Sequence, residues 1–197
     1  MLFRSFKPEF LALNPNNKIP IIVDREGYDG RATTVVESGA ILIYLAEKAG
    51  RFLPRDPARR MLAMQWLMFQ MASVGPIFGQ SIHFSVHAPE RLPYAINRFL
   101  RESHRLFWVM EKRLGEAEYF AEEYSIADMS VYPWARNWER RGIRIEEHPN
   151  LARWLDAVKS REAVRRGVSV LGERERHGPL GKTEQNVLFG EIQYQRR

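Results

Sequence analysis

Hydrophobic and polar positions follow two different periods along this chain, and the period changes at residues 54–57. Before that point the apolar runs are short and rich in β-branched residues, which is typical of strands bounded by turns. After it, apolar residues recur every three or four positions, which predicts helices almost to the end. Pro54, Arg55, Asp56 and Pro57 interrupt both patterns and form the predicted linker. The pattern therefore predicts a small mixed segment followed by an all-helical one.

The mixed segment is predicted to contain a short helix, two antiparallel strands and an amphipathic helix, at residues 8–13, 19–23, 33–36 and 38–48. The helical segment is predicted to contain four long helices, at residues 58–71, 93–113, 125–136 and 150–160. Gly75, Pro76 and Gly79 are expected to interrupt the helical pattern after the first of these. Ser125 and Asp128 stand three apart before an apolar run, which indicates a capping box. Residues 178–197 are expected to form a tail that docks through Val187, Leu188 and Phe189.

Composition excludes several classes of function. The 197 residues contain no cysteine, so disulfides, thiolate metal sites and catalysis by the protein's own thiols are excluded. The net charge of +6 is spread over scattered basic pairs rather than one stripe, which argues against a nucleic-acid partner. His83 and His87 stand four apart, but no third ligand accompanies them, so no metal is expected. We find neither an apolar run expected to span a membrane nor a signal peptide, and we expect a cytoplasmic protein without a membrane partner.

Two stretches of the mixed segment have the chemistry to hold a small peptide, residues 14–24 and 35–41. Pro20 pushes Ile19 into an extended conformation, which leaves the Ile19 backbone able to pair with an extended ligand. Ser38 is placed to cap the helix that follows, and a helix N-terminus attracts a carboxylate. The residues themselves therefore indicate a site for a short peptide with a free carboxylate.

Three motifs, in this order, resemble those of glutathione S-transferases: Asn-Lys-Ile-Pro at 17–20, Glu-Ser-Gly-Ala-Ile-Leu at 37–42 and Tyr-Ser-Ile-Ala-Asp at 124–128. The resemblance covers nearly the whole chain and is closest to the bacterial nu-class branch. It implies an α+β protein, in which a truncated thioredoxin-like N-terminal domain precedes an all-α C-terminal domain. The implied limits are 1–53 for the glutathione-binding domain, 54–175 for the helical domain and 176–197 for the tail. The resemblance also implies a homodimer and a role in detoxification.

The resemblance assigns glutathione as substrate and five residues to its binding. Ile19 would pair through its backbone with the cysteinyl part, while Glu37 and Ser38 would hold the γ-glutamyl end. Lys18 would meet the glycyl carboxylate, and Arg98 would reach the ligand from the helical segment. The alternative interpretation gives these residues no binding role. Ile19 would then be a plain edge residue, Ser38 a helix cap, and Lys18, Glu37 and Arg98 surface charges.

The chain begins about a dozen residues before the Asn-Lys-Ile-Pro turn, whereas a strand-helix-strand unit needs about thirty. We therefore expect the segment that carries the thiol-activating group in this family to be missing, and the sequence assigns no catalytic residue. Two functions remain open. One is an enzyme that conjugates glutathione to electrophiles or uses it to reduce small disulfides. The other is a non-catalytic glutathione-binding or scaffolding protein.

Overall fold

The computed structural model describes residues 4–170, 172 and 180–194. The described residues divide into two compact units, residues 4–48 with 180–194, and residues 49–170 with 172. The predicted domains also extend over residues 1–3, 171, 173–179 and 195–197, which lie outside the described residues. The predicted domain limits stay predictions, because compactness does not test whether a segment folds independently.

The first unit contains one small sheet and three α-helices among its described residues. Helix α1 (Pro8–Leu11) has a proline in its first turn and precedes strands β1 (Ile21–Asp24) and β2 (Thr33–Val36). Helix α2 (Ser38–Ala49) follows β2 directly, and the third helix lies in the tail. The strands pair antiparallel, with Ile21 opposite Val36 and Asp24 opposite Thr33. This register places the start of β1 beside the end of β2.

A polar cluster ties β1 to α2. The Asp24 carboxylate accepts a hydrogen bond of 2.6 Å from the Tyr44 hydroxyl and an ion-paired hydrogen bond from the Lys48 ammonium. The hydrogen bonds from Lys48 and from Tyr44 lower the pKa of Asp24 to about 2. The hydrogen bond to Asp24 raises the pKa of Tyr44 to about 12. A two-stranded sheet alone is marginal in water, so these contacts help to hold β1 against the helix.

The second unit is helical, and its first helix is longer than predicted. Helix α3 (Pro57–Phe69) continues through a π-helical turn (Gln70–Val74) into α4 (Gly75–Ile82) and a second π-helical turn (His83–His87). The prediction that Gly75, Pro76 and Gly79 interrupt this helix was wrong. Pro76 falls in the first turn of α4, after the wider π turn has changed the hydrogen-bond pattern. A Cβ on Gly75 would lie 2.8 Å from Gln70 Nε2, so the glycine leaves room for that side chain.

By length and composition alone, the continuous helix from Pro57 to His87 is apolar enough to cross a membrane, with a mean hydropathy of 1.2. This corrects the expectation that no such run exists. However, Leu67, Val74 and Phe78 of this helix are fully buried inside the second unit. These side chains give the helix one buried face, and 28% of its apolar window is buried.

The remaining helices complete the second unit. They are α5 (Pro93–Glu116), α6 (Ile126–Ala135), α7 (Pro149–Ser160) and α8 (Glu162–Ser169), the last of which was not predicted. Their apolar faces join α4 in one core cluster that includes Phe107, Met110 and Trp154. In the tail of the first unit lie helix α9 (Lys182–Phe189) and a short 3-10 helix (Glu191–Tyr194).

The predicted capping box is present at the start of α6, and its acidic member has further partners. Ser125 Oγ accepts from the N–H of Ala127, and the Ser125 N–H donates to the Asp128 carboxylate at 2.9 Å. Asp128 is fully buried and also accepts from the Phe120 N–H and from Trp154 Nε1. Burial raises the pKa of Asp128, and these donors oppose that shift. The carboxylate therefore joins the start of α6 to the core of the unit.

Candidate functional site

Four of the five predicted site residues lie at one end of the small sheet. Because Ile21 pairs with Val36, the residues just before β1 and just after β2 share that end. Lys18 and Ile19 precede β1, and Glu37 and Ser38 follow β2; all four are exposed. Antiparallel pairing thus brings together two sequence motifs that are separated by about twenty residues.

Ile19 lies outside the ladder, although the sequence predicted that β1 begins there. The strand begins at Ile21, the Ile19–Pro20 peptide bond is cis, and the Ile19 residue is 79% exposed. Pro20 has no N–H to donate, so the ladder cannot continue through it. No described residue forms a hydrogen bond with the Ile19 backbone. Its polar groups are therefore positioned to pair with an extended peptide.

An asparagine turn holds the loop that carries Lys18 and Ile19. The Asn14 side chain is buried, donates to the Lys18 carbonyl at 2.9 Å and accepts from the Asn16 N–H at 2.9 Å. Asn16 in turn donates through its side chain to the Glu37 carboxylate at 3.4 Å. The sequence predicts a turn here, but not this supporting role. Asn-Pro-Asn-Asn is a signal for side-chain-stabilised turns, and it could have indicated the role.

Glu37, rather than Ser38, occupies the position before helix α2. The Glu37 carbonyl accepts the hydrogen bond of the Ile41 N–H at 2.9 Å, and Ser38 is the first helical residue. The prediction that Ser38 caps the helix was therefore wrong by one residue. Glu37 has a φ of 67°, a left-handed conformation that is uncommon and costly for a side chain with a Cβ. Where such a conformation does occur, it is often at a functional site, because the surrounding structure there compensates for its cost.

The N-terminus of α2 adds an electrostatic reason for a carboxylate to bind beside Ser38. The N–H groups of Gly39 and Ala40, in the first turn, have no acceptor within the helix itself. The aligned peptide dipoles also leave a partial positive charge at this end of the helix. A ligand carboxylate would meet both, with the Ser38 hydroxyl as a neighbouring donor.

The fifth predicted residue, Arg98, belongs to the second unit. It lies near the start of α5, is exposed, and has its guanidinium 3.9 Å from the Glu102 carboxylate. Arg105 also pairs with Glu102, at 2.6 Å, so two cations share one acid. This leaves net positive charge on that part of α5.

Elsewhere, the described residues contain no cluster of three His, Cys, Asp or Glu side chains able to hold a metal. His83 and His87 lie at the two ends of the second π-helical turn. At the sheet end, an exposed backbone, a helix N-terminus, an acid and an ammonium group lie close together.

The chain belongs to the glutathione S-transferase family. Residues 2–47 match the model of the glutathione S-transferase N-terminal domain, and residues 93–157 match that of the C-terminal domain. The chain is 44% identical over 161 residues to the disulfide-bond oxidoreductase YfcG of Escherichia coli, which covers 81% of this chain and 75% of the relative. It is 39% identical over 186 residues to the disulfide-bond oxidoreductase YghU of Escherichia coli, covering 90% of this chain but only 62% of that relative.

A solved structure of a glutathione transferase has the same fold as this chain. A glutathione transferase of Burkholderia graminis, crystallised with two glutathione molecules per subunit, superposes with a TM-score of 0.79 at 44% identity. The match covers 85% of this chain and 73% of that one. These findings confirm the predicted family and the predicted fold class. The same findings confirm the prediction that the chain belongs to a class of glutathione-dependent enzymes.

Proposed function

We propose that this chain binds glutathione at the end of the small sheet and uses it to reduce small disulfides. The observation that carries the proposal is the antiparallel register, which gathers Lys18, Ile19, Glu37 and Ser38 at one end of the sheet. Glutathione is an extended tripeptide with an ammonium group and two carboxylates. The sheet end offers a complementary group for each of these features.

Each proposed contact follows from the chemistry of the residue. The exposed Ile19 backbone pairs with the cysteinyl residue, as in the addition of a strand to a sheet. Glu37 accepts from the γ-glutamyl ammonium, and Ser38 with the first turn of α2 holds the γ-glutamyl carboxylate. Lys18 meets the glycyl carboxylate. Arg98 stays a prediction that rests on the family resemblance.

Disulfide reduction suits a chain without cysteine, because every reacting sulfur then belongs to a ligand. The thiolate of one glutathione attacks the disulfide RSSR, which releases one thiol and leaves a mixed disulfide. The thiolate of a second glutathione attacks the glutathione sulfur of this mixed disulfide. That step releases the second thiol and forms glutathione disulfide, so two glutathione molecules are oxidised for each disulfide reduced. The relative from Burkholderia graminis, with two glutathione molecules per subunit, supports this stoichiometry.

Turnover by the 197-residue chain tests the proposal. We would supply glutathione and a small dialkyl disulfide, and follow glutathione disulfide by coupling to NADPH consumption. Conjugation would be measured in parallel with an activated aryl chloride. We expect disulfide reduction above the uncatalysed rate. Glutathione binding without either turnover would favour the non-catalytic alternative, and absence of binding would contradict the proposed function altogether.

We also propose that the protein is a cytoplasmic homodimer with a role in detoxification. One face of α3 supports the dimer, because Met61 and Met68, two turns apart, are 60% and 45% exposed. No Lys, Arg, Asp or Glu occurs between Arg60 and Glu90. An exposed apolar face without charge is typical of an interface between subunits.

Replacing Met68 with lysine is expected to convert the dimer to a monomer. The ammonium would have to be desolvated at the interface. This costs several kcal/mol when no group of opposite charge is present. Light scattering after size-exclusion chromatography measures the mass. Val170→Lys, at another exposed apolar residue, is the control and is expected to leave the mass unchanged. A Met68→Lys variant with the wild-type mass would remove this face from the interface.

A further inference from the structure

The C-terminal tail folds back onto the first unit rather than remaining with the helices that precede it. Residues 180–194 group with residues 4–48 in one compact unit. Val187 of α9 is only 2% exposed, whereas Leu188 and Phe189 are partly exposed. An eight-residue helix cannot bury an apolar side chain this completely by itself, so other residues cover Val187. The burial of Val187 supports the predicted docking of the tail, which stays a prediction.

The short 3-10 helix after α9 is held in place by one glutamine. The Gln193 side-chain amide donates from Nε2 to the Val187 carbonyl at 2.6 Å. The Gln193 N–H donates to the Gly190 carbonyl at 3.0 Å. The orientation of the Gln193 amide is therefore determined by the buried end of α9, and its Oε1 atom points away from that bond.

The remaining atom of this amide contacts the candidate site. Gln193 Oε1 accepts a hydrogen bond of 3.1 Å from the Lys18 ammonium. The Lys18 backbone is itself held by Asn14, through the bond to its carbonyl at 2.9 Å. Lys18 is therefore supported at both ends, by the asparagine turn at its backbone and by the tail at its ammonium.

We propose that Gln193 is a positioning residue for glutathione, which holds the Lys18 ammonium where the glycyl carboxylate binds. This inference rests on the proposed glutathione site and extends it to the C-terminal tail. A free lysine side chain samples many rotamers, and binding a carboxylate requires that most of them be given up. Gln193 restricts these rotamers before the ligand arrives. An ammonium has three N–H donors, and Gln193 takes one of them, which leaves donors for a carboxylate.

A neutral acceptor suits this task better than an acidic one. A carboxylate at position 193 would hold Lys18 as firmly, but it would neutralise the charge that attracts the ligand. It would also repel the glycyl carboxylate at short range. An amide orients the ammonium without cancelling its charge, so Lys18 keeps its attraction for an anion. Comparing an amide with a carboxylate at position 193 therefore separates a positioning role from a merely structural one.

Replacement of Gln193 by alanine is expected to weaken glutathione binding about three- to tenfold, the range of one hydrogen bond. Titration calorimetry on the 197-residue chain measures the dissociation constant for glutathione and for γ-glutamylcysteine, which lacks the glycyl residue. We expect no change for γ-glutamylcysteine, since it does not reach Lys18. Gln193→Glu is expected to weaken glutathione binding further than Gln193→Ala, and again to leave γ-glutamylcysteine unaffected.

Two controls separate this role from general damage to the tail. Gln185→Ala removes a hydrogen bond between a tail side chain and the Leu180 carbonyl, without touching Lys18, and is expected to bind glutathione normally. In a Lys18→Ala background, Gln193→Ala is expected to have no further effect, because the two residues act as a pair.

The possible outcomes separate this inference from the proposed function. If the wild-type chain binds neither ligand, the proposed function fails. If it binds glutathione and Gln193→Ala binds both ligands like the wild type, only the role of Gln193 is overturned. An equal loss for both ligands would make Gln193 a structural residue and overturn its positioning role. Tighter glutathione binding by Gln193→Ala would overturn it as well, since the tail would then compete with the ligand.

Discussion

Replacing Asp128 with alanine is expected to lower the free energy of unfolding by about 3–5 kcal/mol. The Asp128 carboxylate is fully buried and accepts from the N–H groups of Phe120 and Ser125 and from Trp154 Nε1. Alanine would leave these donors without their acceptor in surroundings that exclude water. A buried unsatisfied donor costs about 1–3 kcal/mol, and a water molecule entering the space would recover part of that.

Urea denaturation followed by tryptophan fluorescence measures this loss, and one of the five tryptophans, Trp154, contacts the carboxylate. Asp156→Ala provides a matched control, since Asp156 is an exposed acid on helix α7. We expect that control to change the free energy of unfolding by no more than about 0.5 kcal/mol. If both variants unfold at the same urea concentration as the wild type, Asp128 does not stabilise the helical unit as the structure indicates.

Replacing Ser38 with alanine is expected to weaken glutathione binding about 10- to 100-fold. A hydrogen bond to a charged group contributes about 1.5–3 kcal/mol, and the Ser38 hydroxyl is proposed to donate one to the γ-glutamyl carboxylate. The N–H groups in the first turn of α2 remain in the variant, so some affinity should persist. Titration calorimetry with glutathione measures the change.

The dipeptide cysteinylglycine distinguishes a direct contact from a local distortion. It lacks the γ-glutamyl residue, so its binding should be the same for Ser38→Ala and the wild type. Ser160→Ala, an exposed serine at the end of α7, serves as the substitution control and should leave both affinities unchanged. An unchanged dissociation constant for glutathione in Ser38→Ala would remove Ser38 from the site.

Much of the fold was predictable because it depends on short-range patterns. The strands, α2 and the helices near residues 93, 126 and 149 begin within about two residues of the prediction, since β-branched runs, prolines and capping residues mark them locally. The capping box of Ser125 and Asp128 could likewise be seen in the sequence. The bonds from Phe120 and Trp154 to Asp128 could not, because those partners lie far from the box along the chain.

The errors concern positions where a local rule gave way to tertiary packing. Gly75 and Pro76 were predicted to break the helix, but the helix continues through a π-helical turn that precedes them. Ser38 was interpreted as a cap, but Glu37 adopts a left-handed conformation and takes that position. A propensity rule cannot anticipate a positive φ in glutamate, because the surrounding structure must compensate for its cost.

The sequence by itself determined the family, the absence of any protein thiol and the residue types proposed to bind glutathione, since motifs and composition need no folded structure to be read. Only the tertiary structure decided that two of those motifs meet at one end of the sheet, because the antiparallel register sets which residues become neighbours. It also decided that Gln193 contacts Lys18. Those residues are 175 positions apart, and only packing of the tail on its own unit can bring them together.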